Sequence, residues 1–326
     1  MKLASPRRAL ILLGGLLALA TGLTAPGTAA AAAGSPLPVA PYVDMGEWPT
    51  PSLSAMSAAG NVKGFTLGFV TSWGCKASWF GAYDPRANWQ GDEIAKIRAA
   101  GGDVKVSFGG ASGIELAQAC STVPTLAAEY DAVVKAYGLK YIDVDIEGAA
   151  VADPTSVQRR SQALKIVQTN NPGLKISLTL PVLPNGLDTN GLNVLKAAKT
   201  AGVDLDMVNV MAMDYYQGAG DQGAKAISAA KATQAQVKSV LGLADAAAWK
   251  KVGVTPMLGV NDSRNEIFYQ KDARAVVAFA KTVHLGMLAF WEVGRDANAC
   301  TGELYRCNNI PQSPYEFSKI FAGYTG

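Results

Sequence analysis

The sequence predicts a (β/α)8 barrel on three observations. Eight short apolar, β-rich runs alternate with Ala- and Lys-rich stretches of helical character, the pattern of a parallel sheet covered on its faces by helices. Polar residues cluster at the C-terminal ends of those runs, at Asp44, Ser107, Glu147, Asp214 and Glu292, which is the rim where such barrels carry their chemistry. A doubly wound open sheet is the alternative, but no glycine-rich dinucleotide loop follows the first run.

Taken in order, the first run, Pro41–Asp44, ends on an acid. The second, Gly64–Val70, opens into a long loop bearing Trp73, Trp79, Phe80 and Trp89 before a helix at Glu93–Ala100. Those aromatics either line a binding surface or fill a loop core, and the sequence leaves both open. The third run, Val104–Phe108, precedes a helix at Thr125–Tyr137, and the fourth, Tyr141–Glu147, one at Ser156–Asn170. Lys175–Leu180 leads to Leu192–Ala201, Met207–Met213 to Ala224–Leu241, and Val252–Met257 to Asp272–Val283; Met287–Trp291 is the eighth run. Gly138, Gly173, Gly202 and Gly286 sit between a helix and the next strand, where a C-cap needs positive φ. Between Met257 and Met287 there is room for one loop and one helix, hence for no inserted subdomain. No repeat or Pro/Ser linker appears after about Leu37, so residues 34–326 read as one domain.

Residues 1–33 read as a secretory signal peptide. Lys2, Arg7 and Arg8 give a basic start, Ala9 to Ala20 an apolar core, and Thr28 to Ala33 a small-residue cleavage region. Arg7-Arg8 fits a twin-arginine signal poorly, so ordinary secretion to the extracellular space is expected. The formal charge of +3 resides in that segment, and the rest of the chain balances its 26 acidic residues with as many basic ones. Nothing in this balance favours nucleic acid or an anionic membrane as a partner, and a monomer is expected. Cys75, Cys120, Cys300 and Cys307 all follow the signal. An even count in an exported chain predicts two disulfides, Cys300–Cys307 clipping the loop after the last strand and Cys75–Cys120 joining two other loops. No C-x-x-C pair exists and the single histidine, His284, precedes the eighth strand. No metal and no cofactor is expected, and a Ser-His-Asp or Cys-His mechanism would need a histidine at the opposite rim.

Tyr141-Ile142-Asp143-Val144-Asp145-Ile146-Glu147-Gly148 is the most informative stretch. As a strand, it places Asp143, Asp145 and Glu147 on one face, with roughly 6.6 Å between successive Cα atoms. A buried sheet face rejects three ionised carboxylates, because each loses several kcal/mol of solvation. Like charges held that close push at least one pKa upward, which keeps a carboxyl protonated as a general acid. A solvated edge strand is the bland reading, and the flanking Ile and Val oppose it.

With these residues in view, the chain resembles the family 18 glycoside hydrolases, the chitinases and their relatives. Ser107-Phe108-Gly109-Gly110 is similar to the family's S-x-G-G, and Asp143-x-Asp145-x-Glu147 to the end of D-x-x-D-x-D-x-E. Met211-Ala212-Met213-Asp214-Tyr215 resembles M-x-Y-D, and Trp291 stands where the family often places a tryptophan under the sugar. Two departures stand out. Lys140 replaces the first acid and Tyr141 the usual glycine, and Met213 replaces the tyrosine that helps hold the acetamido group, with Tyr215 as the expected compensation.

The resemblance implies a retaining, substrate-assisted hydrolysis of β-1,4-linked N-acetylglucosamine polymers, in which the 2-acetamido oxygen is the nucleophile. Glu147 would protonate the leaving oxygen and then activate water. Asp145 would orient the acetamido N–H and stabilise the oxazolinium charge, and Asp143 would share a proton with Asp145. Asp214 and Tyr215, with Met211 and Met213 beside them, would grip the sugar. Trp291 would form its floor or else a core tryptophan. Ser107, Gly109 and Gly110 would permit close packing beneath the acids. The absence of an inserted subdomain resembles endo-acting members. An endo-β-N-acetylglucosaminidase acting on N-glycans would use the same acids. A non-catalytic chitin-binding protein would usually lack the acid that Glu147 supplies here.

Overall fold

The computed structural model describes residues 37–326, which lie in one compact unit; the predicted signal segment, residues 1–33, lies outside the described residues. Eight parallel strands form the barrel: β1 Tyr42–Asp44, β2 Gly64–Ser72, β3 Asp103–Gly109, β4 Tyr141–Asp145, β5 Lys175–Pro181, β6 Leu205–Met211, β7 Val252–Thr255 and β8 Met287–Leu288. Each pairs with the next in sequence, and the sheet closes on itself. Ala40 N–H donates to Leu288 O at 3.0 Å, Leu288 N–H to Pro38 O at 2.8 Å, and Tyr42 N–H to Phe290 O at 3.0 Å. Closure removes both sheet edges.

Each strand is followed by a main helix: α1 Leu53–Gly60, α2 Gly91–Ala99, α3 Val123–Tyr137, α4 Pro154–Asn170, α5 Thr189–Thr200, α6 Gln222–Leu241, α7 Gln270–Val283 and α8 Glu316–Phe321. The starts follow local chemistry. Thr122, Asp153, Asp188 and Asp221 each accept a backbone N–H of the first turn, and Pro occupies the opening turn of α3 and α4. His284, not Gly286, is the left-handed residue that ends α7. Gly286 is required for another reason: a Cβ there would lie 2.2 Å from Lys250 O.

Two apolar layers result from strand alternation. Outward residues such as Ile142, Val144 and Ile146 join the helices in one continuous core. Inward residues, among them Tyr42, Tyr141, Met207, Met287 and Ala289, fill the barrel. Between β7 and α7 lies only a two-stranded antiparallel ladder, Gly259–Val260 with Ile267–Phe268, so no subdomain is inserted. Cys75–Cys120 and Cys300–Cys307 are bonded as the sequence predicted. Of the loop aromatics, Trp79 is buried, its indole N–H donating to Tyr137 Oη at 2.8 Å, and Trp89 stacks on Tyr83 at 4.9 Å. Both fill a loop core, whereas Trp73 is exposed.

Candidate active site

The strand register assembles the acid array. Ser107 and Ser177 are the cross-strand partners of Asp143 on either side, so their hydroxyls meet its carboxylate. Ser107 Oγ donates to Oδ2 at 2.7 Å, Ser177 Oγ to Oδ1, and Thr179 Oγ1 to Oδ1 at 2.9 Å. Tyr42, brought in by barrel closure, donates to Oδ2 at 2.9 Å. Asp143 is therefore a buried acceptor surrounded by hydroxyls. Ser107 thus bonds an acid directly, beyond the packing role its sequence context suggested.

Asp145 and Glu147 stand above it. β4 ends at Asp145, two residues short of the predicted run, yet Ile146 N–H still donates to Thr179 O at 3.0 Å. That bond keeps the chain extended, and Asp145 and Glu147 line the same cleft. Asp145 is only 4% exposed, and its Oδ1 has no hydrogen-bond partner among the described residues. Burial, with the charges of Glu147 and Asp143 beside it, raises its pKa well above the usual carboxylate range. Burial likewise raises Glu147, assisted by the carboxylates of Asp214 and Asp262, to about 7. An acid with that value is still protonated near neutrality and can give its proton up.

The cleft, about 360 Å³, opens at the C-terminal ends of the strands. One wall is aromatic: Phe69 and Trp291 stack with centroids 5.7 Å apart, and Tyr42 lies 6.0 Å from Trp291. Met211, Met213 and Met257 line it further, with Thr179, Thr255 and Tyr305. Asp214 also faces it, at φ +46, its Oδ1 accepting Ser263 N–H at 2.7 Å. Asp44 and Asp262 join the lining, so other carboxylates than the strand array face the space. A larger hollow, about 580 Å³, lies at the opposite end of the barrel around Val39, Asp103 and Lys140. It holds none of the array's acids. Lys140 there pairs with Asp103 at 3.4 Å, which separates that departure from the cleft.

Tyr215 departs from expectation. Its ring is buried in the helix-facing core and its N–H donates to Glu266 Oε2 at 2.7 Å. The left-handed turn at Asp214 sends Asp214 to the cleft and Tyr215 away from it, so Tyr215 cannot replace the missing tyrosine by contact. Met213 occupies the cleft side instead. Gly109 and Gly110 are dictated by space: a Cβ at Gly109, φ +106, would lie 2.0 Å from Asp145 O, and one at Gly110 would lie 2.7 Å from the Phe69 ring. Tyr42, Phe69, Thr179 and Asp262 were not singled out in the sequence. His284 is exposed on the opposite rim.

No family model matches the chain. A probable bifunctional chitinase/lysozyme of Escherichia coli (strain K12) is 39% identical over 306 residues, covering 88% of this chain and 34% of that protein. Endochitinase 11 of Metarhizium anisopliae is 40% identical over 274 residues, covering 80% of this chain and 52% of that protein. The chain thus spans a third to about half of the length of these curated relatives. Among solved structures, the catalytic domain of a hyperthermophilic chitinase from Pyrococcus furiosus superposes with a TM-score of 0.79 at 34% identity. The match covers 89% of this chain and 96% of that one. A GH18 chitinase from Chromobacterium violaceum, at 16% identity and a TM-score of 0.60, shares the fold.

Proposed function

The chain belongs to family 18 of the glycoside hydrolases, and from that premise we propose that it is an exported, endo-acting chitinase that hydrolyses β-1,4 bonds between N-acetylglucosamine units with retention. The observation that carries this reading is the pairing of Asp145 and Glu147 in one cleft. One is a buried carboxyl with an unpartnered oxygen, and the other an acid raised to about 7. Glu147 protonates the leaving glycosidic oxygen while the sugar's own acetamido oxygen attacks the anomeric carbon. Asp145 Oδ1 receives the acetamido N–H, which otherwise leaves that oxygen without a partner. The carboxylate formed on Glu147 then removes a proton from the water that opens the oxazolinium ring. Phe69 and Trp291 give the sugar's apolar face a flat support.

The related Pyrococcus furiosus domain has been crystallised in complex with chito-oligosaccharides, which supports the substrate class. The signal-like N-terminus and the two disulfides support export. The test is to incubate the purified protein with chitotetraose and, separately, with a high-mannose glycoprotein. Release of chitobiose from the first alone is expected. Glycan release from the second without chitotetraose cleavage would replace this reading with an endo-β-N-acetylglucosaminidase, and no product from either would refute both.

A further inference from the structure

Lys105 is a buried lysine in the middle of β3, 4% exposed, on the same inward face as Ser107. Its Nζ lies 3.3 Å from Ser177 Oγ and 3.3 Å from Met287 Sδ. A thioether is a weak acceptor, so the Ser177 hydroxyl is its one good partner. An ammonium only donates, which leaves the Ser177 hydrogen free to point at Asp143 Oδ1. Asp143 Oδ1 is the nearer of that hydrogen's two acceptors, Ile142 O lying at 3.3 Å, so a chain of bonds leads from Lys105 Nζ through Ser177 to Asp143. Among the described residues, the other buried cations, Arg160 and Arg295, are carried on helices; Lys105 alone sits on a barrel strand.

We propose that Lys105 is the counter-charge of the acid array, a positioning residue that acts on Asp143 through the Ser177 hydroxyl. The inference rests on the array being the catalytic one. A carboxylate this deep in the barrel needs a compensating charge, and without one the array would draw in a further proton. With Lys105 in place, Asp143 serves as the fixed acceptor of the hydroxyls of Tyr42, Ser107, Ser177 and Thr179. The groups facing Lys105 fit this assignment. β4 presents Asp143 and Tyr141, β1 presents Tyr42, and β6 contributes Asp206, whose other neighbour is Lys175 at 3.7 Å. Asp103, on its own strand, is engaged by Arg98 at 2.8 Å and by Lys140. Thr66 is the cross-strand partner of Lys105 on β2, and Ser177 on β5 and Met287 on β8 reach its Nζ; none of the three titrates. Burial lowers the Lys105 pKa while Asp143 and Asp206 act against that fall.

The test begins in the unaltered protein with NMR of the Lys105 side chain at pH 7. An ammonium is expected, and a neutral amine overturns the proposal. Asp143→Asn should make Lys105 lose its proton about one to two pH units lower, and an unmoved midpoint also overturns it. Lys105→Met and Lys105→Gln, the second keeping a donor for Ser177 without charge, should both displace the limbs of the kcat profile on chitotetraose to higher pH by about one unit. A lowered kcat with unshifted limbs, or full rescue by Gln, would assign Lys105 to packing or hydrogen bonding alone. If the unaltered protein cleaves no chitotetraose, the catalytic reading fails, while the NMR coupling of Lys105 to Asp143 still decides the counter-charge.

Discussion

The phenol of Tyr42 donates to Asp143 Oδ2 at 2.9 Å, joining the first strand to the fourth across the barrel interior. The same strand hydrogen-bonds to the segment after β8 through Tyr42 N–H and Phe290 O. Closure of the sheet and support of the acid array thus share one residue. Tyr42 also lies 6.0 Å from Trp291, so it links the array to the aromatic wall.

Tyr42→Phe should therefore keep the fold and the wall but remove one of the hydroxyls on Asp143. A hydrogen bond to a charged group is worth about 1.5–3 kcal/mol; a part of that, expressed as a fall in kcat of about tenfold with KM little changed, is expected. Steady-state kinetics on chitotetraose together with a thermal melt would check it. Unchanged kcat would mean that the remaining hydroxyls suffice.

Glu147→Gln preserves size and hydrogen bonding but removes the transferable proton. kcat should fall by about 100-fold or more, with oligosaccharide binding retained by calorimetry. A second effect follows from the raised value. Folded Glu147 titrates at about 7 against an ordinary 4.5, so the folded state binds more protons than the unfolded chain between those values, and stability is lost as pH rises through that window. Gln does not titrate. The variant should gain on the wild type by roughly 3 kcal/mol between about pH 4.5 and 7 and no further above it, read from urea unfolding at a series of pH values.

Asp262→Asn should move the basic limb of the kcat profile to lower pH. The carboxylates of Asp214 and Asp262 both raise Glu147, and removing one negative charge makes loss of the proton easier. A displacement of about half a pH unit is expected. Because Asp262 is exposed, added salt should shrink it. A limb that stays in place at low salt would show that burial and Asp214 set Glu147 without Asp262.

How much of this was legible follows from what each residue shares with its neighbours in sequence. The barrel was readable because alternation and apolar runs are local, and so was the Asp143–Asp145–Glu147 array. Gly109 was readable as a packing residue, though not the carbonyl it meets. Tyr42, Phe69, Thr179 and Asp262 converge on the cleft from four other segments, and only strand register brings them there. Lys105 did carry a signal: a lysine two residues before Ser107, on the inward face of an otherwise apolar strand. Tyr215 was misplaced because one left-handed residue, Asp214, reverses which side the next side chain takes.

Gly109→Ala tests the packing beneath the acids. The new Cβ would fall 2.0 Å from Asp145 O, at φ +106, and both strain and clash oppose it. A loss of about 2–4 kcal/mol in stability, with activity falling beyond what the unfolded fraction explains, is expected from denaturant unfolding and kinetics. Near-normal stability would require β3 and β4 to move apart locally.

The substrate's own part in the chemistry sets the strictest demand. Asp44, Asp214 and Asp262 also face the cleft, yet Asp44 Oδ1 accepts Gly46 N–H at 2.8 Å and Asp214 Oδ1 is held by Ser263 N–H. An acetamido nucleophile needs none of them. Chitotetraose should then release the β anomer first, while cellotetraose, with hydroxyl in place of acetamido, should be inert. Removing an aligned neighbouring group can forfeit roughly 7–11 kcal/mol of intramolecular advantage, far more than any remaining contact restores. A thiazoline analogue of the cyclised intermediate should inhibit competitively, because it resembles a state that the site stabilises. Proton NMR of the first product decides the matter. An α anomer appearing first, or measurable turnover of cellotetraose, would place a protein carboxylate or a water where the acetamido group is expected to act, with Asp262, the most exposed of the three, as the first residue to replace.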